Sequence, residues 1–265
     1  MRYCQAMAWA AAGRAMIAGL EKGILRWLVD VLAPPRCPLC RAELESADGL
    51  CAACWPKLHL IEEPSCPATG LPLAGEWAET VASLPATMKQ RPWRTLRAAV
   101  FHDAAGRALV HGLKFHDDFA PARLMARLMA RRVRDLVEEG MVVAPVPLHR
   151  LRLWWRRFNQ SAVLARLLAE ELALEHVPDL LLRTRYTTPQ TRLSGRRRRA
   201  NLNGAFAVNP RHGAWVRGRT VLLVDDVLTT GATAQACVRA LQEAGAGDVH
   251  VVVFALAGEP RALHI

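Results

Sequence analysis

The sequence predicts an α/β protein: a parallel sheet flanked by helices, with a small cysteine-rich module in front of it. Three observations predict this. Strand-like apolar runs alternate with helix-like amphipathic stretches from residue 97 to residue 254. The run Val221-Leu222-Leu223-Val224 is apolar throughout, as a strand buried on both faces must be, and it leads into Asp225-Asp226, a Thr/Gly turn and a helix. Cys37-x2-Cys40 and Cys51-x2-Cys54 stand together near the N-terminus. A length of 265 residues and a hydrophobic content of 52% suffice for one large α/β domain and a small appendage.

Residues 1–33 read as an N-terminal helical segment, rich in alanine, with Ile24, Leu25, Leu28, Val29 and Leu32 on one face. That face suits docking. The longest uncharged run, Tyr3 to Gly13, is too short to span a membrane. No small-residue cleavage site marks a signal peptide. The expected location is the cytoplasm.

Residues 34–75 form the cysteine module. Each C-x2-C pair can occupy a tight knuckle and aim two thiolates at one point. Cys37, Cys40, Cys51 and Cys54 together make a closed tetrahedral site for structural Zn2+. In a reducing compartment this spacing reads as metal rather than disulfide. A vestigial site and redox chemistry are the alternatives. Cys66-Pro-Ala-Thr69-Gly70 begins another knuckle, but Thr69 stands where its second ligand would be.

Residues 90–265 carry the large domain. Arg97 to His102 reads as a strand and Ala104 to Phe115 as a helix. Lys114, near that helix's end, has two readings: a contact to ligand phosphate, or a cation favoured by the helix dipole. A second helix is expected from Pro121 to Glu139, and a strand from Met141 to Leu148. The basic stretch from His149 to Ser161 follows, then a helix from Ala162 to Leu172. Strand, basic loop and helix N-terminus make an anion site, with Arg150, Arg152, Arg156, Arg157 and Asn159 as its candidates. A plain basic surface is the alternative. So is a single-stranded nucleic-acid platform using Trp154 and Trp155.

Leu180 to Arg183 suggests a strand. The polar stretch after it contains Gln190, Arg192 and the run Arg196 to Arg199. The Val221 strand then places Asp225 and Asp226 at its carboxyl end, where open α/β sheets bind ligands. Thr229, Thr230 and Thr233 offer hydroxyls, and Gly231 lets the backbone come close. The turn from Thr229 through Ala232 to Thr233 and the helix behind it favour a phosphate. Val249 to Phe254 reads as the last strand. Net charge is +11, and 31 of the 35 basic residues are arginine, the better fork for phosphate. A polyanionic partner is favoured.

Four apolar residues, two acids and a Thr/Gly-rich turn resemble the 5-phosphoribosyl 1-pyrophosphate (PRPP) motif of the type I phosphoribosyltransferases. The resemblance implies a doubly wound parallel sheet with a hood. Asp225 and Asp226 would hold the ribose hydroxyls as the catalytic pair, and Thr229, Thr230, Gly231, Ala232 and Thr233 the 5-phosphate. The Arg150–Asn159 loop would receive pyrophosphate, with Mg2+ accompanying PRPP. Gln190, Arg192 and Arg199 would belong to the hood. A cysteine module ahead of such a domain resembles the ComF family of competence-related proteins, as do Gly112-Leu113-Lys114-Phe115 and Phe158-Asn159-Gln160. That likeness covers the chain from about Pro34 onward. It implies either 5-phosphoribosyl transfer to an unknown acceptor, or an accessory role in DNA uptake. In the second case single-stranded DNA and a competence helicase are the expected partners, and the PRPP site is regulatory or vestigial.

Overall fold

The computed structural model describes residues 35–46, 49–85, 90–115, 120–148, 158–184 and 204–257. The expected helical segment 1–33 lies outside them.

Within the described residues, five parallel strands form a sheet of order β1-β7-β6-β2-β3. They are β1 (Thr95–Phe101), β2 (Val142–Pro145), β3 (Glu175–His176), β6 (Val221–Leu228) and β7 (Val249–Leu256). The β-branched, apolar runs of β6 and β7 explain their central position, since a parallel strand covered on both faces has no polar side to offer. Side chains alternate between two cores. Val221, Leu223, Val251 and Val253 enter one, and Leu222, Val224, Val252 and Phe254 the other.

The helices α2 (Ala104–Phe115), α3 (Ala120–Val133) and α4 (Gln160–Leu172) cover the second core, and α5 (Ala232–Glu243) covers the first. The connection β2–α4–β3 runs toward one edge of the sheet, and β6–α5–β7 runs toward the other. Right-handed crossovers in opposite directions put their helices on opposite faces. The neighbours β2 and β6 therefore flank a topological switch point, and their carboxyl ends open a crevice between the two helix N-termini.

Several boundaries differ from expectation. The helix expected to reach Glu139 stops at Val133, and a short 3-10 turn, Arg134–Leu136, follows. This releases the chain to seat Met141 in the core at the start of β2. β2 ends at Pro145, although one further bond, Val146 N–H donating to Val224 O at 2.9 Å, still ties the chain to β6 beyond it. β6 continues through both acids to Leu228, with Asp225 beside Val253 and Val227 beside Ala255. The β3 pairing and the strand β5 (Phe206–Val208) had no clear sequence signal. β5 pairs antiparallel with β4 (Leu181–Arg183), so the two strands bracket residues 185–203.

The cysteine module joins the edge of the sheet. Ile61 N–H donates to Ala99 O at 2.9 Å, and Phe101 N–H donates to His59 O at 3.0 Å, pairing this segment antiparallel with β1. An otherwise open strand edge is thereby covered. Behind it, helix α1 (Glu76–Ser83) stacks Trp77 on Phe101, with ring centroids 4.8 Å apart.

The module repeats its own backbone. Around Cys37, Cys37 N–H donates to Ala42 O, Arg41 N–H to Cys37 O, and Leu44 N–H to Pro35 O, at 2.7–2.8 Å. Around Cys66, Cys66 N–H donates to Leu71 O, Gly70 N–H to Cys66 O, and Leu73 N–H to Pro64 O, at 2.7–2.8 Å. Every partner is displaced by 29 residues, including the bridges Arg36–Glu43 and Ser65–Pro72. At the same offset, Cys40, Cys51 and Cys54 correspond to Thr69, Thr80 and Ser83. The second copy keeps the knuckle but only one of the four cysteines, and that one, Cys66, packs into the core with Leu71, Val81 and Leu84.

Candidate functional site

Two centres emerge, one in each part of the chain. In the first, the sulfurs of Cys37, Cys40, Cys51 and Cys54 all lie within 4.8 Å of one another. Cys40 and Cys51 are 3.5 Å apart. A tetrahedral site with Zn–S bonds of about 2.3 Å needs sulfur separations of about 3.8 Å, so the cage fits zinc. Its protonation chemistry agrees. Burial pushes the Cys37 thiol up, but hydrogen bonds from the backbone of Cys51, Cys40 and Leu39 outweigh it and bring it down to about 6. Burial, hydrogen bonds with the other three cysteines and the charge on Cys37 push Cys54 up to about 12. Four thiolates cannot share this volume without a compensating cation. Cys37 and Cys54 are buried, and no ligand position is left for a substrate, so the zinc role is structural.

The second centre lies at the switch point. β6 presents Asp225 and Asp226, both half-buried. Each carboxylate is oriented by the chain it sits on: Asp226 N–H donates to Asp225 Oδ1 at 2.9 Å, and Val227 N–H to Asp226 Oδ1 at 2.7 Å. The loop behind them exposes Thr229 and Thr230, while Gly231 and Ala232 are buried and Thr233 half-buried. Gly231 is the N-cap of α5 with φ 73°, a left-handed conformation that strains other residues. The first-turn N–H groups of α5 have no intrahelical acceptors, so the loop can receive an anion.

Across the crevice stands the N-terminus of α4. Asn159 caps it: its Oδ1 accepts from Ser161 N–H at 3.1 Å, and its Nδ2 donates to Val146 O at 3.0 Å. Asn159, expected in the anion-binding loop, thus ties α4 to the end of β2. Its neighbour Ser161 is buried and donates from Oγ to Asp225 Oδ1 at 2.8 Å. Sequence reading passed over Ser161, since a serine in a helix's first turn ordinarily reads as local capping. Gln160 is also buried, and its Nε2 has no hydrogen-bond partner among the described residues.

Asp225, Asp226, the Thr229–Thr233 loop and Asn159 are therefore gathered at one crevice. Lys114 sits at the C-terminal end of α2, and its side chain lies outside what the structure describes. Arg150, Arg152, Arg156 and Arg157 of the basic loop lie outside the described residues, as do Gln190, Arg192 and Arg199 of the expected hood. The β4–β5 ribbon is extended by Thr184 N–H donating to Ala205 O at 2.9 Å. No helix among the described residues is long and apolar enough to cross a membrane.

Comparison with known proteins finds a family match in each part of the chain. Residues 28–84 match the double zinc ribbon domain, a span that includes both copies of the repeated knuckle. Residues 159–264 match the phosphoribosyl transferase domain. The DNA utilization protein YhgH of Escherichia coli (strain K12) is 33% identical over 228 residues, covering 82% of this chain and 95% of the relative. The protein of that name from Salmonella typhimurium is 35% identical over the same coverage. Competence protein F of Haemophilus influenzae is 30% identical over 223 residues, 82% of this chain and 94% of the relative. With a zinc ribbon, a phosphoribosyltransferase domain and relatives of matching length, the chain belongs to the ComF family.

Proposed function

We propose that this protein binds magnesium-PRPP at the β2–β6 switch point and transfers its 5-phosphoribosyl group to an acceptor. One observation carries the reading: two oriented carboxylates on β6 stand directly before a glycine-capped helix N-terminus. A sugar phosphate has this pattern, with vicinal hydroxyls to be accepted and a dianion to be bound by N–H groups. Asp225 and Asp226 take the two ribose hydroxyls, and Thr229 through Thr233 take the 5-phosphate.

In the reaction, the bond from the anomeric carbon to the pyrophosphate oxygen breaks. A bond from the acceptor's lone pair to that carbon forms, and the pyrophosphate keeps the bonding electrons. Positive charge develops on the ribose ring and is stabilised by Asp225 and Asp226. Negative charge develops on the pyrophosphate, where Arg152, Arg157 and the hood arginines Arg192 and Arg199 are suited to meet it. Mg2+ bound with the substrate neutralises phosphate charge. Neither acid needs to act as a base. Lys114 is a further candidate for phosphate contact. The expected setting is the cytoplasm.

The names of the relatives, DNA utilization protein and competence protein F, favour a second reading. There the protein is an accessory to DNA uptake that binds single-stranded DNA, with the PRPP site regulating it or left as a relic. Calorimetry with magnesium-PRPP tests the site. Wild type should bind, and Asp225→Ala and Asp226→Ala should each weaken binding by about tenfold or more. Unchanged affinity in both variants sinks the assignment. Pyrophosphate release across bases, amines and oligonucleotides then separates transfer from binding alone. For the DNA reading, single-strand affinity should fall steeply with salt.

A further inference from the structure

The second knuckle keeps Cys66 but has Thr69, Thr80 and Ser83 in place of the other three ligands, and still it retains the backbone hydrogen bonds around Cys66, so some other task holds it in shape. Its tip lies on the strand that leads away from it. Pro67 O accepts from Leu96 N–H at 2.8 Å, and Ala68 O accepts from the indole Nε1–H of Trp93 at 3.0 Å. Gly70 is in the left-handed region, and a Cβ there would come within 3.2 Å of Leu96 Cγ. The knuckle is thus seated against the entry to β1.

Trp93 is held on other sides as well. The carbonyl of the preceding Pro92 accepts from Gln242 Nε2 of α5 at 2.7 Å. The N–H of the following Arg94 donates to Val249 O at 2.9 Å. The Arg91 guanidinium lies 5.5 Å from the indole centroid. The indole is only 5% exposed. What it is pressed against is the loop glycine: a Cβ on Gly231 would come within 3.1 Å of Trp93 Cη2.

We propose that Trp93 is a positioning residue for the phosphate loop, and that the metal-free knuckle is the strut that holds it. This rests on the PRPP reading above. The Cη2 rim of the indole sets how closely Gly231 can settle against it. It thereby fixes the height of the first N–H groups of α5 relative to Asp225 and Asp226. The second half of the double ribbon is then a part of the sugar-phosphate site, acting through one aromatic ring instead of a metal.

The test is affinity for three ligands in the full chain: PRPP, ribose 5-phosphate and pyrophosphate, each with magnesium. Two variants are compared with wild type, Trp93→Ala and Trp93→Phe. Phe keeps an aromatic ring in the pocket but lacks both the donor to Ala68 and the Cη2 atom that approaches Gly231. Zinc content and the melting curve are followed alongside. Trp93→Ala should weaken PRPP and ribose 5-phosphate by the same factor, about tenfold, because misplacing a site by about 1 Å costs up to a hundredfold. Pyrophosphate affinity should stay within about twofold. Trp93→Phe, which keeps part of the packing but not the Cη2 contact, should show the same selective loss at smaller size, and it keeps the test available if the alanine variant does not fold. Unchanged ribose 5-phosphate affinity in the variants, or an equal loss for pyrophosphate, overturns the proposal. Wild type that binds neither 5-phosphate ligand overturns the PRPP reading itself, whatever the variants do.

Discussion

The hydroxyl of Ser161 donates to Asp225 Oδ1 at 2.8 Å, joining the first turn of α4 to the end of β6 across the switch-point crevice. The same oxygen accepts from the Asp226 N–H at 2.9 Å. Two donors on one oxygen hold the carboxylate in one rotamer before any ligand arrives, which is the preorganisation a recognition site requires.

Ser161→Ala should therefore weaken PRPP binding with little effect on the fold. A hydrogen bond to a charged group contributes about 1.5–3 kcal/mol, so a loss of about tenfold in affinity is expected by calorimetry. Ser161→Thr, which keeps a hydroxyl, should restore part of it. Wild-type affinity in Ser161→Ala would show that Asp225 is oriented without this contact.

The cysteine module should carry one zinc per chain. Elemental analysis should give a ratio near one for wild type and for Thr69→Ser. Cys37→Ser and Cys54→Ser, each removing a buried ligand, should lose the metal and lower the melting temperature. A ratio of two in wild type would contradict the assignment of the second knuckle as metal-free.

Arg132 should matter to stability more than its surface-like residue type suggests. It is 9% exposed, its Nη2 lies 2.7 Å from Glu63 Oε1, and its Nε donates to Ala98 O at 3.0 Å. Burial lowers its pKa, while the Glu63 charge opposes that shift. Glu63 also pairs with Arg97 at 2.9 Å and accepts from Ser65, so this cluster binds the module to α3 and β1. Arg132→Ala should cost about 2 kcal/mol in denaturant unfolding, below the usual loss for a broken buried pair because Glu63 is half-exposed. An unchanged midpoint would argue against it.

Acid should destabilise the fold through His250. Burial lowers its pKa and the nearby Arg94 and Arg97 add to this, against the opposing charges of Asp248 and Glu138. Its Nδ1 is buried without a hydrogen-bond partner among the described residues. The unfolded chain takes up the proton first, so the stability is complete above the ordinary histidine pKa of about 6.5 and is lost as pH falls toward the lowered folded value. His176 has the same sign, with burial as the main cause. Melting temperature should fall between pH 7 and pH 5.5, and His250→Leu should flatten that slope. Equal slopes would clear His250 of the effect.

Much of the fold is legible residue by residue. The α2 helix spans Ala104–Phe115 as its apolar spacing predicts, and the strands expected near residues 97, 142, 181, 221 and 249 all form. What escaped are short elements whose existence depends on a neighbour. β3 is two residues long and is a strand only because Val142 and Val143 lie beside it. β5 is three residues long and is defined by β4. In the second knuckle, Thr69 marks a missing ligand in the sequence. The intact turn shows only in its hydrogen bonds, because backbone geometry can outlast the side chains that once required it.

The groupings legible in the chain alone are those whose members lie close along it. Cys37, Cys40, Cys51 and Cys54 carry their chemistry in their spacing, and Asp225 through Thr233 carry theirs in their order, because covalent adjacency alone brings those groups together. Only the tertiary structure decided what stands against them. Ser161 meets Asp225 because crossovers on opposite faces of one sheet face two helix N-termini across one crevice, and Trp93 meets Gly231 because the knuckle and α5 both pack at the entry to β1. Such contacts leave no periodicity or spacing in the chain; they exist only when the sheet order does.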